Sequence, residues 1–285
     1  LKAGGGNLLG GRAFVYSLFP LTSLEIGKDF DLIKALKYGT LPKIFEFQSD
    51  ETKQDFLRAY IRNYLKEEIL VEQLVKNLDP FRDFLEIAAQ SNGKILNFSK
   101  ISKEVGVDDK TIKFYYQILE DTLIGFFLPS FHRSIRKRQR VSPKFYLFDT
   151  GIKRALDRTL TMEIHPQTFA YGDAFEHWIL TEIFRLNEYL KKDFRLSYFR
   201  TKDDVEVDLI IERPGKKDLL LEIKSKSLIN YEDCKSGNSI ASDWDRECEF
   251  EVWSLDPSEK KIEKAHCFSW PLGLQRLFFN EDVLD

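Results

Sequence analysis

Two short apolar runs in the second half of the chain carry charged residues within them. They span 206–211 and 219–224, and each is bounded by Gly, Pro or charged residues. Branched apolar runs of this length predict β-strands. Because side chains alternate between the faces of a strand, Glu222 and Lys224 must point to the same side. Charges on an apolar strand are costly unless they meet a ligand or each other, so this strand pair is the first candidate site.

The patterning around these runs predicts a mixed α/β arrangement. Apolar residues at helical spacing predict a helix over 170–192, with Glu176 near its N-terminus. Residues 150–165 are expected to form a connector, because the segments 159–161 and 165–166 break any helix. The other predicted elements are strands at 197–200 and 250–255, a turn at 202–204, a helix or loop before the last strand, and a C-terminal helix at 272–279.

The first part of the chain is predicted to be mainly helical. Aromatic and apolar residues at helical spacing favour a helix over 51–78 with Asp50 as its N-cap, and another near 28–38. The glycines at 4–6 and 10–11 could cradle a phosphate, but the chain contains no GxxxxGK[ST] motif. A flexible loop followed by a strand is therefore the favoured interpretation.

A helix-turn-helix pattern lies between these regions. It consists of a helix over 81–91, a short helix that starts at Phe98, a turn at Gly106, and a longer helix from 109 to 119. Recognition residues of such motifs lie early in the last helix. They are here Thr111, Lys113, Phe114 and Tyr115.

Two apolar runs at 123–128 and 145–148 predict a β-hairpin after the helices, which completes a winged helix. Basic residues fill the segment between the runs, and in a winged helix they would contact phosphates regardless of the base sequence. These candidate nucleic-acid-binding residues are Arg133, Arg136, Lys137, Arg138 and Arg140, with His132 and Lys144 beside them. A solvated basic loop, or a surface that docks a protein, remains the alternative.

The composition is that of a globular protein with about two or three domains. The 285 residues are 43% hydrophobic and 31% charged, and no apolar run approaches the ~20 residues that cross a bilayer.

Cys234, Cys248 and Cys267 match neither a disulfide framework nor a zinc pattern, which favours a reducing cytoplasm. Only 4 histidines argue against a His-rich metal site, and a net charge of −3 leaves nucleic-acid binding to local asymmetry. Leu1 stands in place of a starting Met and Met162 is the only methionine, so we expect part of a longer protein.

The charged strands fit the chemistry of phosphodiester hydrolysis. That reaction needs an activated water and cations beside the phosphate, and Mg²⁺ or Mn²⁺ provides both through oxygen ligands. We expect carboxylates from Asp208, Glu222 and Glu176 at this metal, together with the backbone carbonyl of Ile223. Lys224 would position the attacking water or stabilise the phosphate as a point charge. An ion pair or a solvated face is the alternative for Lys224.

The set of Asp208, Glu222-x-Lys224 and Glu176 resembles the PD-(D/E)xK nuclease superfamily, which includes restriction enzymes and Holliday junction resolvases. Val207 stands where the name of the superfamily has proline, a common departure. The resemblance implies a restriction-endonuclease-like α/β domain, with Asp208, Glu222, Lys224 and Glu176 as its catalytic residues.

A wider resemblance runs along essentially the whole chain. It is carried by the segments at 7–13, 19–22, 60–68 (YIRNYLKEE), 97–99, 116–122 (YQILEDT), 144–151 (KFYLFDTG) and 175–177. These look like prokaryotic AAA-type ATPases whose C-terminal half is a domain of unknown function. The Walker A and Walker B region of that group is absent from this chain, so ATP is implied only through an N-terminal core outside it.

The resemblance implies a multidomain α+β and α/β chain of four parts. These are the end of an ATPase core at 1–40, a helical lid or linker at 41–79, a winged helix-turn-helix at 80–150, and a PD-(D/E)xK nuclease-like domain at 165–285. Three functions stay open: a Mg²⁺-dependent DNA endonuclease with a winged-helix DNA binder, a catalytically silent scaffold that binds DNA or protein, and a wing that docks a partner protein. A membrane has no role in any of them.

Overall fold

A six-stranded mixed sheet with helices on both faces follows a mainly helical unit and a β-hairpin in this α/β protein. The computed structural model describes residues 14, 16–63, 75, 78–132, 134 and 141–279. In those residues the α-helices are α1 (Ser23–Ile26), α2 (Leu32–Tyr38), α3 (Asp50–Asn63), α4 (Leu78–Gln90), α5 (Phe98–Val105), α6 (Asp109–Asp121), α7 (Thr150–Leu156), α8 (Phe169–Leu190), α9 (Tyr231–Asp243) and α10 (Trp270–Phe278). The strands are β1 (Gly125–Leu128), β2 (Lys144–Leu147), β3 (Arg195–Arg200), β4 (Glu206–Glu212), β5 (Asp218–Lys224), β6 (Cys248–Ser254), β7 (Lys260–Ile262) and β8 (Ala265–Ser269).

Helices α5 and α6 are set off from each other by capping residues on both sides of a tight turn. Asn97 caps α5 by accepting a hydrogen bond from the N–H of Lys100, and α5 ends at Gly106 with a φ of 77°. Asp108 then caps α6 by accepting from the N–H groups of Lys110 and Thr111. A left-handed residue at a helix end followed by an acidic N-cap stops one helix and starts the next. The two helices and the turn lie where the sequence predicts them.

The antiparallel hairpin of β1 and β2 lies between two hydrophobic cores. Phe145 and Leu147 pack into the helical core with residues of α4 and α6. Tyr146 alternates with them and packs into the other core, beside α8. Because side chains alternate along a strand, Lys144 is directed to the same side as Tyr146, towards the larger sheet.

The larger sheet has the strand order β3-β4-β5-β6-β8-β7. The strands β3, β4 and β5 are antiparallel neighbours, whereas β5, β6 and β8 run parallel. Leu219 and Leu221 of β5 pack in the core that contains α8, and Leu220 packs on the opposite face against α9. Helices therefore cover both faces of β5, which explains its nearly continuous apolar sequence.

The hairpin is joined to the edge of this sheet through β3. The N–H of Tyr198 donates to the carbonyl of Pro129 at 3.0 Å, and the N–H of Phe131 donates to the carbonyl of Tyr198 at 2.6 Å. The Tyr198 hydroxyl also donates to the carbonyl of Ser142 at 2.6 Å. Both arms of the hairpin are thus fixed against the strand that neighbours β4.

The expectation of a helix-free connector at 150–165 is wrong, because α7 occupies its first half. The carboxylate of Asp149 caps this helix by accepting from the N–H of Ile152 at 3.1 Å, and it also accepts from the N–H of Thr40 at 2.8 Å. Burial of Ile152 and Leu156 in the helical core stabilises this short helix α7. The predicted breakers lie beyond its end.

Other differences concern caps and short strands. Residues 16–19 form no strand, and Ser49 rather than Asp50 precedes α3 and accepts from the N–H of Thr52 at 3.2 Å. The strands β7 and β8 are too short and too interrupted for the pattern to predict. Residues 64–74 and 76–77 of the helix predicted over 51–78 lie outside the described residues. Where the chain is described, no helix combines the length and apolar character needed to cross a membrane.

A substitution of Gly39 by Ala should destabilise the fold strongly. Gly39 ends α2 with a φ of 70°, and a Cβ atom there would lie 1.9 Å from Oδ1 of the buried Asp149. Displacing that carboxylate removes the acceptor of two backbone N–H groups, so we expect the free energy of unfolding to fall by about 3 kcal/mol or more. Urea unfolding monitored by circular dichroism measures the change.

Gly215 is the matched control for Gly39. Its φ is 73°, but a Cβ atom there meets nothing within 4 Å. Gly215→Ala should cost only the backbone strain of about 1–2 kcal/mol. Equal losses for the two variants would contradict the role given to the contact with Asp149.

Candidate functional site

The predicted acids Asp208 and Glu222 lie where β4 and β5 separate. The two strands pair from Ile211↔Leu219 to Leu209↔Leu221, and the next pair in this register would be Asp208 and Glu222. There Oδ2 of Asp208 accepts the N–H of Ile223 at 2.7 Å, so a side chain replaces the strand partner. The N–H and carbonyl of one strand residue point to the same neighbour. The Ile223 carbonyl therefore faces the same opening, which we call the β4–β5 opening.

A β-bulge directs Asp208 into this opening. Ser197 pairs with Ile210 and Phe199 pairs with Val207, so β4 has one more residue than β3 between the two pairs. Val207 and Ile210, although three residues apart, consequently pack into the same core as α9. Such bulges change the direction of a side chain and occur next to functional sites.

The buried Glu222 forms an ion pair with the partly exposed Lys224 on β5. Glu222 is 4% exposed, and its Oε2 lies 2.5 Å from Nζ of Lys224, whose side chain is 31% exposed. Burial and then the charge of Asp208 raise the pKa of Glu222 to about 8, against the opposing charge of Lys224. Burial alone would lower the pKa of Lys224, but the carboxylates of Glu222 and Asp208 raise it. Lys224 therefore carries a stable positive charge.

Glu176 approaches the same acids from α8. Its Oε1 accepts the hydroxyl proton of Tyr146 at 2.7 Å and lies 3.8 Å from Nζ of Lys144. Burial and then the charge of Asp208 raise its pKa to about 7, while Lys144 and the Tyr146 hydrogen bond oppose the shift. The charge of Asp208 thus acts on both Glu176 and Glu222, and the charge of Glu176 also acts directly on Glu222.

Lys144, Tyr146 and Glu206 were not predicted as residues of this site. Nζ of Lys144 lies 2.5 Å from Oε1 of Glu206, and the lysine side chain is only 5% exposed. The sequence places Lys144 with the basic loop because it follows a run of arginines and lysines. The signal that separates it from them is its alternation with Phe145 and Leu147, which directs it to the same face as Tyr146.

The described residues contain no group of three or more His, Cys, Asp and Glu side chains arranged to hold a metal ion. The donors that face the β4–β5 opening are the carboxylate of Asp208 and the carbonyl of Ile223, with Glu222 next to them. These oxygen donors suit Mg²⁺ or Mn²⁺, since Mg²⁺ is commonly bound by one or two carboxylates and retains waters. Glu176 is held instead by Tyr146 and Lys144.

The other predicted contacts are those to nucleic acid. Thr111 is half-buried and its hydroxyl donates to the capping carboxylate of Asp108 at 2.9 Å. Lys113 is exposed, with Nζ 5.3 Å from the ring centroid of Phe98. The basic residues Arg133, Arg136, Lys137, Arg138 and Arg140 lie outside the described residues.

Fold and site together define a mixed α/β protein with an acidic cluster, the buried Lys144 and the partly exposed Lys224 at a strand opening. Two family models match this chain. Residues 29–163 match a Domain of unknown function (DUF8612), and residues 171–273 match a second Domain of unknown function (DUF4143). The second match contains most of α8 and the β4–β5 opening.

The chain is also similar to uncharacterized proteins of Mycobacterium tuberculosis and Mycobacterium bovis. Each is 28% identical over 211 residues, which cover 73% of this chain and 46% of the relative. The chain thus spans less than half the length of these curated relatives. Among solved structures, protein VC1899 of Vibrio cholerae aligns over 81% of this chain and 57% of its own, with 12% identity and a TM-score of 0.29.

Glu222→Gln should gain stability relative to the wild type as the pH rises. The pKa of Glu222 is about 8 in the folded protein, above the ~4.3 of an unfolded chain. The folded state therefore binds more protons than the unfolded state between about pH 4.5 and about pH 8, and this contribution to stability is lost as the pH rises. We expect a relative gain of at least about 1 kcal/mol over that window. Urea unfolding of chelator-treated protein measures it.

The exposed Glu188 provides the control for that comparison. Glu188→Gln should keep a constant stability difference from the wild type across the window. A constant difference for Glu222→Gln as well would show that Glu222 has no raised pKa in the folded protein.

Proposed function

We propose that this chain is the C-terminal part of an AAA-type ATPase that binds DNA and cleaves phosphodiester bonds at the β4–β5 opening with Mg²⁺ or Mn²⁺. The observation that carries the proposal is the β4–β5 opening itself. The Asp208 side chain accepts the N–H of Ile223 in place of a strand–strand hydrogen bond. The buried Glu222 lies next to Asp208 and forms an ion pair with Lys224. Separating two strands around paired charges is costly unless the opening receives a ligand.

In this proposal Asp208, Glu222 and the Ile223 carbonyl hold the metal ion. When bound, such an ion would supply a nucleophilic water at neutral pH and positive charge beside the phosphate. Lys224 contributes a positive charge at the opening, and its partial exposure lets its ammonium group reach a phosphate oxygen. Glu176 positions the site from α8 through its contacts with Tyr146 and Lys144.

DNA is held, in this proposal, by a winged helix next to a restriction-endonuclease-like domain. The layout of α5, Gly106, α6 and an antiparallel hairpin supports the winged helix. The exposed Lys113 on α6 and the arginines and lysines between β1 and β2 supply charge for phosphates. The ATPase assignment is supported by the motifs shared with prokaryotic AAA-type ATPases, and ATP would bind outside this chain.

The second candidate function is a catalytically silent module that binds DNA or a protein partner. The observation that favours it is that every acid of the site already has a partner in the protein. Glu222 contacts Lys224, Glu176 contacts Tyr146, and Asp208 holds the N–H of Ile223. A buried network satisfied in this way is stable without any ligand.

Asp208→Asn and Lys224→Met should separate metal binding from cleavage. Asp208→Asn removes a metal-binding charge, so we expect at least about tenfold weaker Mn²⁺ binding by calorimetry. Lys224→Met should retain Mn²⁺ and lose about a hundredfold or more of the cleavage rate on supercoiled, single-stranded and branched DNA. The exposed Lys235→Met serves as the charge-matched control.

The outcomes distinguish the two candidate functions. Metal-dependent cleavage by wild type and Lys235→Met, but not by Lys224→Met, supports the nuclease. Metal binding that Asp208→Asn does not weaken contradicts the metal site. DNA binding without cleavage by any variant favours the silent module.

Joint replacement of Arg136, Lys137 and Arg138 by Ala should weaken DNA binding regardless of sequence. Each phosphate contact contributes ~0.9 to the slope of log K against log salt, so three lost contacts should reduce that slope by about 3. Fluorescence anisotropy over a range of salt concentrations measures it. Replacing the exposed Lys34, Lys43 and Lys235 by Ala removes equal charge elsewhere and should leave the slope unchanged. Equal slopes for both triple variants would favour a wing that docks a protein.

A further inference from the structure

A strand of the hairpin, and not only the nuclease-like sheet, forms part of the acidic site. Lys144 and Tyr146 lie two residues apart on β2 and extend from the same face. Tyr146 donates its hydroxyl proton to Glu176, and Lys144 lies between Glu176 and Glu206. The bonds between Tyr198 and the hairpin arms fix this strand against β3.

The ammonium group of Lys144 is enclosed by acids. It lies 2.5 Å from the carboxylate of Glu206 and 3.8 Å from that of Glu176, and Tyr198 covers it with its ring centroid 5.5 Å away. A lysine that is 5% exposed is rarely found in an apolar setting without paired carboxylates. Its position is therefore set by the acidic cluster.

We propose that Lys144 is a built-in cation that takes the place of a second divalent ion, so that the β4–β5 opening holds one metal ion. The inference rests on the proposed function and deepens it, because it fixes how many ions the site binds and which acids bind them. Glu176 and Glu206 are assigned to Lys144, whereas Asp208 and Glu222 are assigned to the metal.

The charges of the cluster fit this division. A bound cation would ionise the acids whose pKa burial raises, so Glu176, Glu206, Asp208 and Glu222 would then carry four negative charges against the two ammonium groups of Lys144 and Lys224. Two negative charges are left, which one divalent cation neutralises. Replacing Lys144 by a neutral residue leaves three negative charges, with Glu176 and Glu206 free to bind a further ion.

Mn²⁺ binding to the full chain tests the inference through stoichiometry rather than cleavage. Calorimetry counts the bound ions, and electron paramagnetic resonance detects magnetic coupling between two ions that share a site. We expect one Mn²⁺ for wild type and two coupled Mn²⁺ for Lys144→Met. Lys144→Arg retains the charge and should bind one. Lys153→Met, which breaks the ion pair with Asp157 on α7, is the matched control and should also bind one.

Each result supports or overturns the inference. One ion in Lys144→Met, or two in wild type, overturns it and leaves the metal site of the proposed function intact. A wild-type chain that binds no Mn²⁺ overturns the proposed function, and the inference with it.

A second variant covers the case that Lys144→Met does not fold. Glu206→Gln replaces the partner of Lys144 with a side chain of the same shape. We expect it to bind one Mn²⁺ with an affinity within about threefold of wild type, because Glu206 is not a metal ligand in this assignment. An affinity loss of about tenfold or more would make Glu206 a ligand and overturn the inference.

Discussion

The buried guanidinium of Arg185 holds the parts of this protein together. It is 1% exposed, and it donates to the carbonyl of Phe148 at 2.6 Å and to Thr40 Oγ1 at 3.2 Å, with Glu182 at 3.5 Å. One side chain of α8 thus connects the segment after α2, the end of the hairpin and its own helix. An unpaired charge at this depth costs several kcal/mol, so these partners must stay in place around α8. The position of Glu176, about two and a half turns earlier on α8, depends on the same constraint.

The hairpin and α8 are positioned against each other by a second polar contact. His177 Nε2 lies 2.6 Å from the carbonyl of Leu147, and burial lowers the pKa of His177 to about 3. Because a carbonyl only accepts, the neutral imidazole donates from Nε2. Adjacent residues of α8 therefore contact β2 in two ways. His177 donates to the backbone carbonyl of Leu147, and Glu176 accepts the hydroxyl proton of Tyr146. The proposed DNA-binding unit and the proposed cleavage site therefore meet at these contacts between β2 and α8.

The sequence predicts those features that depend on neighbours along the chain. The turn at Gly106, the alternation in 219–224 and the helix around Glu176 follow from local patterning, and the structure contains each of them. Features that depend on distant contacts are not predictable in this way. In the sequence, Lys144 resembles a residue of an exposed basic loop. Only the fold brings Glu206, sixty-two positions later, into contact with it. Helix α7 likewise forms because Asp149 meets Thr40 and caps Ile152.

The bulge in β4 makes the site depend on strand length as well as on side-chain chemistry. Beyond the bulge, side chains of β4 lie on the opposite face from the one that regular alternation would give. Loss of a single residue at 208 or 209 would restore regular pairing with β3 and leave Glu206 paired with Arg200, but it would remove either Asp208 or the extra residue that directs Asp208 into the β4–β5 opening. Relatives in which every acid and lysine is retained can therefore still differ in whether the site exists. Gaps in an alignment of this strand would be as informative about function as substitutions.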